Sequence, residues 1–216
     1  MERIKSAFVI QSNQREILQV TKLKINGLLI SAGYSGRMGQ FKPLMLYNGK
    51  TFVETIVGKL LTVCEKVVVV TGFQKAKIEL TINSQFSNGV ECIYNPNFDK
   101  GMFSSLQAGL AELKDSDWVL YHFVDQPFHK EKFYKELIAQ IEDNIDWIQP
   151  VYDNKEGHPV LFKKSIFEKI ISSLPENSLR SIRDDGLTKK KKWNCSYSQI
   201  LKDFDTQSDI QKFNED

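Results

Sequence analysis

Apolar residues in this chain fall into short runs that alternate with stretches of helical spacing. Leu28–Ser31 reads as a strand. Thr51–Val63 puts Phe52, Ile56, Leu60 and Val63 on one helical face. Lys66–Thr71 holds four consecutive valines, as expected of a strand covered on both faces. Gln74–Asn83 predicts a helix, Val90–Tyr94 a strand, and Phe103–Leu113 a helix with Leu106, Leu110 and Leu113 aligned. Trp118–Val124 reads as a strand and Lys130–Asp143 as a helix. Trp147–Val151 and Pro159–Phe162 are further strands joined by a turn over Asp153–Lys155. Ser165–Ser173 and Leu179–Asp184 read as helices, Asn194–Ser198 as a late strand, and Asp209–Phe213 as a closing helix. Strands separated by helices predict βαβ units with right-handed crossovers, hence an α/β fold with a mostly parallel sheet.

In such sheets ligands bind beyond the carboxyl ends of the strands. Three polar clusters fall on that edge: Gly33 and its loop after the first strand, Asn95-Pro96 after the third, and Asp125-Gln126-Pro127 after the fourth. The loop, S-A-G-Y-S-G-R-M-G-Q-F-K from Ser31 to Lys42, empties an apolar strand into small residues and two cations. Glycines at 33, 36 and 39 permit close backbone approach, their N–H groups can face an anion, and Arg37 and Lys42 can neutralise it. The bland reading is a glycine-rich turn with a solvated Arg and Lys. The G-x-x-G-x-x-G spacing is not the dinucleotide fingerprint, and Gly49-Lys50-Thr51 is the tail of a P-loop whose first glycine is replaced by Leu44. Asp125 at a strand end suits a hard cation such as Mg²⁺; taken alone it reads first as a cap for the following helix or for the turn itself.

Composition narrows the class. A net charge of +2 over 216 residues gives no general pull towards nucleic acid. No window approaches the roughly 18 apolar residues of a membrane span, and nothing resembles a secretory signal. Cys64, Cys92 and Cys195 are few, far apart and without C-x-x-C spacing, which reads as reduced thiols in a cytoplasmic protein. The Lys189–Lys192 run reads as a solvated turn, and His122 and His129 as structural or exposed.

The string from the first strand to S-A-G-x-S-G-R-M-G-x-x-K-P-L closely resembles the signature of molybdenum cofactor cytidylyltransferases, the MobA-like NTP transferases. Asn95–Leu110, Asp125-Gln126-Pro127, Gly157-His158-Pro159 and Asp203–Thr206 resemble later motifs of the same family, so the resemblance spans roughly residues 27–210. It implies a three-layer, Rossmann-like fold of the nucleotide-diphospho-sugar transferase type, in one domain over 27–216 preceded by an extension, 1–26, without a readable role. It implies transfer of CMP from CTP to molybdopterin with release of pyrophosphate. Arg37, Lys42 and Asp125 would be catalytic. Ser31, Ala32, Gly33, Ser35, Gly36, Arg37, Gly39, Lys42, Asn95, Gly101, Ser104 and Ser105 would bind the nucleotide. Gln126, Gly157, His158 and Pro159 would border the acceptor, and Asp125 with Asp205 would hold Mg²⁺. The S-A-G string lies nearer the A-A-G of the cytidylyl branch than the A-G-G of the guanylyl branch, which implies CTP. Arg180 and Arg183 stand where the family often has an arginine-bearing helix near the acceptor, although Pro175-Glu176-Asn177 replaces a more glycine-rich pattern. A sugar or polyol phosphate acceptor, or a non-catalytic nucleotide-binding chaperone serving a molybdoenzyme client, are the alternatives.

Overall fold

The computed structural model describes residues 23–35, 40–174 and 177–204. The expected helix at Asp209–Phe213 and nearly all of the 1–26 extension lie outside them. The first strand, β1 (Ile25–Ser31), is buried along its whole length. It starts before the expected Leu28, because Ile25 already pairs with Trp118. A short hairpin follows, β2 (Leu46–Tyr47) and β3 (Lys50–Thr51), turned by Asn48 and Gly49, both at positive φ. Gly49 therefore serves a tight turn. Thr51 and Glu54 then form a capping box that starts α1 (Phe52–Leu60).

The chain continues as β4 (Val67–Thr71), α2 (Lys75–Gln85), β5 (Val90–Tyr94), α3 (Met102–Ala111), β6 (Trp118–Phe123) and α4 (Glu131–Ile138). After these come β7 (Trp147–Tyr152), β8 (Lys155–Glu156), β9 (Val160–Lys163), α5 (Lys164–Ser172), α6 (Leu179–Arg183) and β10 (Lys190–Asn194). The strands form one sheet in the order β10-β7-β9-β6-β1-β4-β5, with β8 paired to β7. β5, β4, β1 and β6 are mutually parallel, whereas β9 runs antiparallel to both β6 and β7. The parallel order reverses direction across β1 and β6, and at such a switch point the flanking loops diverge and leave a crevice.

Side-chain alternation divides the core. Leu29, Val67, Val69 and Leu120 pack with α1, α2 and α4 on one face. Leu28, Ile30, Val68 and Val70 pack with α3 and α5 on the other. Gly109 of α3 permits that contact, since a Cβ there would sit 2.3 Å from Leu28 Cδ1. The architecture is thus a three-layer α/β sandwich around a mostly parallel sheet. No helix among the described residues is long and apolar enough to cross a membrane.

Two expectations at the C-terminal end need correction. The late strand is Lys190–Asn194 instead of Asn194–Ser198, and the lysine run is that strand instead of a solvated turn. It is the sheet edge beside β7. Its ammonium groups are matched by carboxylates: Lys190 with Asp184 at 2.8 Å, Lys191 with Glu142 at 2.7 Å, and Lys192 with Glu156 at 2.9 Å. Lysines on an edge strand also discourage pairing with another chain.

Candidate active site

The crevice beside β1 is a cavity of about 400 Å³. Its floor is the end of β1 and the loop after it, Ile30–Ser35, and its sides are Lys42, the start of α3, and Phe123–Asp125 at the end of β6. Ser35 adopts a positive φ and its hydroxyl accepts a hydrogen bond from the Lys42 amide at 3.1 Å, which closes the loop on itself. Lys42 then opens a 3-10 turn with Pro43 at its second position. A Cβ on Gly33 would meet nothing within 4 Å, so this glycine leaves its backbone uncovered. Ser31 is buried, lines the cavity, and its hydroxyl has no partner among the described residues. Gly36, Arg37 and Gly39 lie outside the described residues.

Across the cavity, Lys42 Nζ stands 3.5 Å from Asp125 Oδ2. The two residues are 83 positions apart and both side chains are largely buried. Burial raises the Asp125 carboxyl above the ordinary carboxylate range; Lys42 opposes this and the nearby Asp203 carboxylate adds to it. The Asp125 carbonyl accepts from the Phe204 amide at 3.0 Å, so Asp203-Phe204 comes to rest against the end of β6. On the other side, Lys59 Nζ donates to the Pro127 carbonyl at 2.6 Å, tying the turn after Asp125 to α1.

These groups suit a hard divalent cation. Asp125 and Asp203 are oxygen donors whose mutual repulsion a cation would relieve, and magnesium is commonly held by one or two carboxylates plus substrate phosphates and water. Among the described residues no three His, Cys, Asp or Glu side chains converge, so the protein offers a partial shell and not a closed cage. Asp205 lies outside the described residues.

Two nucleotide candidates, Asn95 and Ser104, are engaged in the loop before α3. Asn95 is buried, its side-chain amide donates to Ser104 and Ser105 at 3.0 Å each, and its carbonyl accepts from the Asn97 amide. Ser104 bonds the carbonyls of Asn97 and Gly101. Neither Asn95 nor Ser104 lines the cavity; they shape the loop that delivers Gly101, Met102 and Ser105, which do. Gly101 has φ 102° and no side chain caps the first turn of α3, so backbone N–H groups at this helix start remain for a ligand.

A second cavity, of about 390 Å³, adjoins the first and shares Met102 and Phe123 with it. Tyr121, Trp147, Gln149, His158, Arg180 and Arg183 line it. His158 lies against Phe123, ring centroids 4.4 Å apart, and its Nδ1 is buried without a partner among the described residues. Burial, with Arg183 adding to it, lowers the imidazole pKa to about 4, so it is neutral at physiological pH. Arg183 is oriented by Glu156 at 2.8 Å and Asp184 at 2.9 Å.

The remaining acceptor candidates differ from expectation. Gln126 lines neither cavity; its amide donates to the Lys202 carbonyl at 3.0 Å. Gly157 is packed so closely under Ile200 that a Cβ would lie 2.4 Å from the Ile200 carbonyl oxygen. Pro159 is buried and is not among the residues lining either cavity. Of this group only His158 faces a cavity.

His122 and His129 are both buried, with His122 Nε2 2.9 Å from the Tyr134 hydroxyl. Sequence reasoning passed over Tyr34, Phe98 and Asp99 in the first cavity and Tyr121, Trp147 and Gln149 in the second. A signal existed for the last pair: Trp147 and Gln149 alternate along β7 and so share a face.

Comparison with known proteins agrees with this geometry. The profile of the MobA-like NTP transferase domain matches residues 27–191. The molybdenum cofactor cytidylyltransferase of Escherichia coli is 25% identical over 140 residues, 65% of this chain and 70% of that protein. A probable molybdenum cofactor guanylyltransferase of Bacillus cytotoxicus is 27% identical over 158 residues, 70% of this chain and 75% of that protein. Among solved structures, a Mycobacterium tuberculosis protein superposes with a TM-score of 0.74 at 17% identity, over 90% of this chain and 99% of its own. The same protein in complex with manganese gives a TM-score of 0.70 at 17% identity, over 89% of this chain and 98% of its own. With three quarters of its length matched to one domain profile and the crevice where that fold binds ligands, this chain belongs to the MobA-like NTP transferase family and is a nucleotidyltransferase.

Proposed function

We propose that this nucleotidyltransferase moves CMP from CTP to molybdopterin, with Mg²⁺, and releases pyrophosphate. The observation that carries the reading is the pair of contiguous cavities, one holding the Lys42–Asp125 pair and the other lined by aromatic side chains and by His158, whose Nδ1 has no partner among the described residues. Each is of a size that takes a small-molecule ligand. A flat heterocyclic acceptor suits the half-buried Phe103 and Phe123 surfaces better than a polyol phosphate does.

In this reading a terminal phosphate oxygen of the acceptor attacks the α-phosphorus of CTP, the bond to the β-phosphate breaks, and pyrophosphate leaves. Such transfer depends on positioning and charge neutralisation more than on covalent help. Lys42, together with Arg37, holds the triphosphate and stabilises charge growing on the leaving group. Gly33 and the backbone at the start of α3 supply N–H donors. Asp125, aided by Asp203 or Asp205, would hold the metal, which supplies further charge neutralisation at the phosphates. His158, neutral, hydrogen-bonds the acceptor.

The guanylyl relative, at 27% identity, favours GTP as a second reading. Both are tested by pyrophosphate release from each of the four NTPs with Mg²⁺, with and without molybdopterin. Release with CTP that requires molybdopterin supports the first reading, and the same result with GTP moves the base assignment. No release with any NTP refutes both.

A further inference from the structure

One end of the first cavity carries features that phosphate binding does not use. Tyr34, directly after Gly33, is 57% exposed although it touches two other rings, Phe73 at 5.1 Å and Phe98 at 5.2 Å between centroids. Tyr34 and Phe98 both line the cavity. The platform is held from behind. A Cβ on Gly72 would lie 2.6 Å from Phe98 Cγ and 2.5 Å from the Ala32 carbonyl oxygen, so the glycine lets Phe98 seat directly on backbone. Phe73 donates its amide to that same Ala32 carbonyl at 3.0 Å, locking the end of β4 to the loop after β1, and its ring meets Phe41 at 5.6 Å.

Next to Phe98 stands Asp99, exposed and facing the cavity. A carboxylate repels a triphosphate and accepts from N–H groups, so its place is away from the phosphates. Ser31, whose buried hydroxyl lacks a partner among the described residues, lines the same cavity. An aromatic face, a carboxylate acceptor and an uncommitted hydroxyl are what a planar, amino-bearing heterocycle needs.

We infer that Tyr34 and Phe98 form the stacking surface for the nucleobase, and that Asp99 selects bases with an exocyclic amino group over uracil. This rests on the nucleotidyl reading and extends it to the residues that read the base. Stacking discriminates little among bases, because every base has a π-face. Selection therefore falls to Asp99, which accepts from the amino group of cytosine but faces a carbonyl oxygen in uracil.

The test compares CTP, GTP, UTP and inorganic tripolyphosphate binding to the wild type, Tyr34→Ala, Tyr34→Phe and Asp99→Ala, each checked for an unchanged melting temperature. Tyr34→Ala is expected to weaken CTP about five- to a hundred-fold, in line with loss of base stacking, while tripolyphosphate binds as before. Tyr34→Phe recovers most of the lost affinity. Asp99→Ala narrows the preference for CTP over UTP at least about fivefold. Equal weakening of CTP and tripolyphosphate by Tyr34→Ala would place the ring on the phosphates and overturn the inference. So would CTP affinity that is indifferent to Tyr34, or a CTP-to-UTP ratio indifferent to Asp99. Failure of the wild type to bind CTP or GTP at all would instead remove the nucleotidyl reading on which this stands.

Discussion

Replacing Asp125 by Asn separates what the carboxylate does for the fold from what it does for the reaction. At 3.5 Å and an effective dielectric near 20, its attraction to Lys42 is about 5 kcal/mol before any desolvation cost. Even so the carboxyl titrates above its ordinary value, so burial, with Asp203 helping, outweighs Lys42. A carboxyl whose pKa is higher folded than unfolded binds more protons in the folded state. Its contribution to stability therefore falls as pH rises through that elevated pKa. At pH 7.5 the charged side chain is a net cost, and Asp125→Asn is expected to leave the melting temperature unchanged or raise it by a few degrees. The difference between the two proteins should close as the pH is lowered below the ordinary carboxylate range. Catalysis should respond oppositely. Losing one charge-stabilising group costs on the order of 3 kcal/mol in the transition state, about 150-fold in turnover. Thermal melts across pH 4–8, paired with pyrophosphate release at saturating Mg²⁺, read both. Turnover within tenfold of wild type would remove Asp125 from the reaction. A melting temperature lower by more than about 4 °C, roughly 1 kcal/mol or more for a domain of this size, would refute the electrostatic argument.

Two further outcomes follow from packing and burial. Gly72→Ala would place a Cβ 2.5 Å from the Ala32 carbonyl oxygen, which is backbone and cannot swing aside. A loss of about 1–3 kcal/mol is expected together with weaker NTP binding; urea denaturation that differs from wild type by less than about 0.5 kcal/mol would contradict the contact. His122, His129 and His158 are all pushed below the ordinary histidine range, first by burial, to about 3 for His122 and about 4 for His158. The unfolded chain then takes up as many as three protons that the folded chain refuses, so stability should fall with acidification from pH 6.5, at up to about 4 kcal/mol per pH unit near pH 5. A flat profile of unfolding free energy between pH 7 and 5 would mean that the imidazoles are not held neutral.

Much of this site was readable along the chain because its parts occupy strand ends. Ser31 to Lys42 was legible from an apolar run breaking into glycine and small residues, and Asp125 from a carboxylate closing β6. Other positions stand elsewhere than expected, for physical reasons. Asn95 and Ser104 look like ligand donors, yet their hydrogen-bonding capacity is consumed in forming the loop before α3. Gln126 sits beside Asp125 but points to the Lys202 carbonyl, since consecutive residues in a turn diverge. The lysine run looks like a turn by charge alone, yet Glu142, Glu156 and Asp184 make it tolerable as an edge strand. Tyr34 and Phe98 escaped notice because a single aromatic in a loop acquires meaning only from the rings it meets.

By itself, the order of residues determined the alternation of strands and helices, the loops at the carboxyl edge and the family. Those depend on spacings of two to four residues and on local backbone freedom. Tertiary structure alone decided that Lys42 reaches Asp125 across 83 positions, that β9 enters antiparallel, and that His158 and not Gly157 or Pro159 faces a cavity. Contacts of that range follow from how two helical layers seat on one twisted sheet, and no local pattern encodes the direction in which a buried side chain is left pointing.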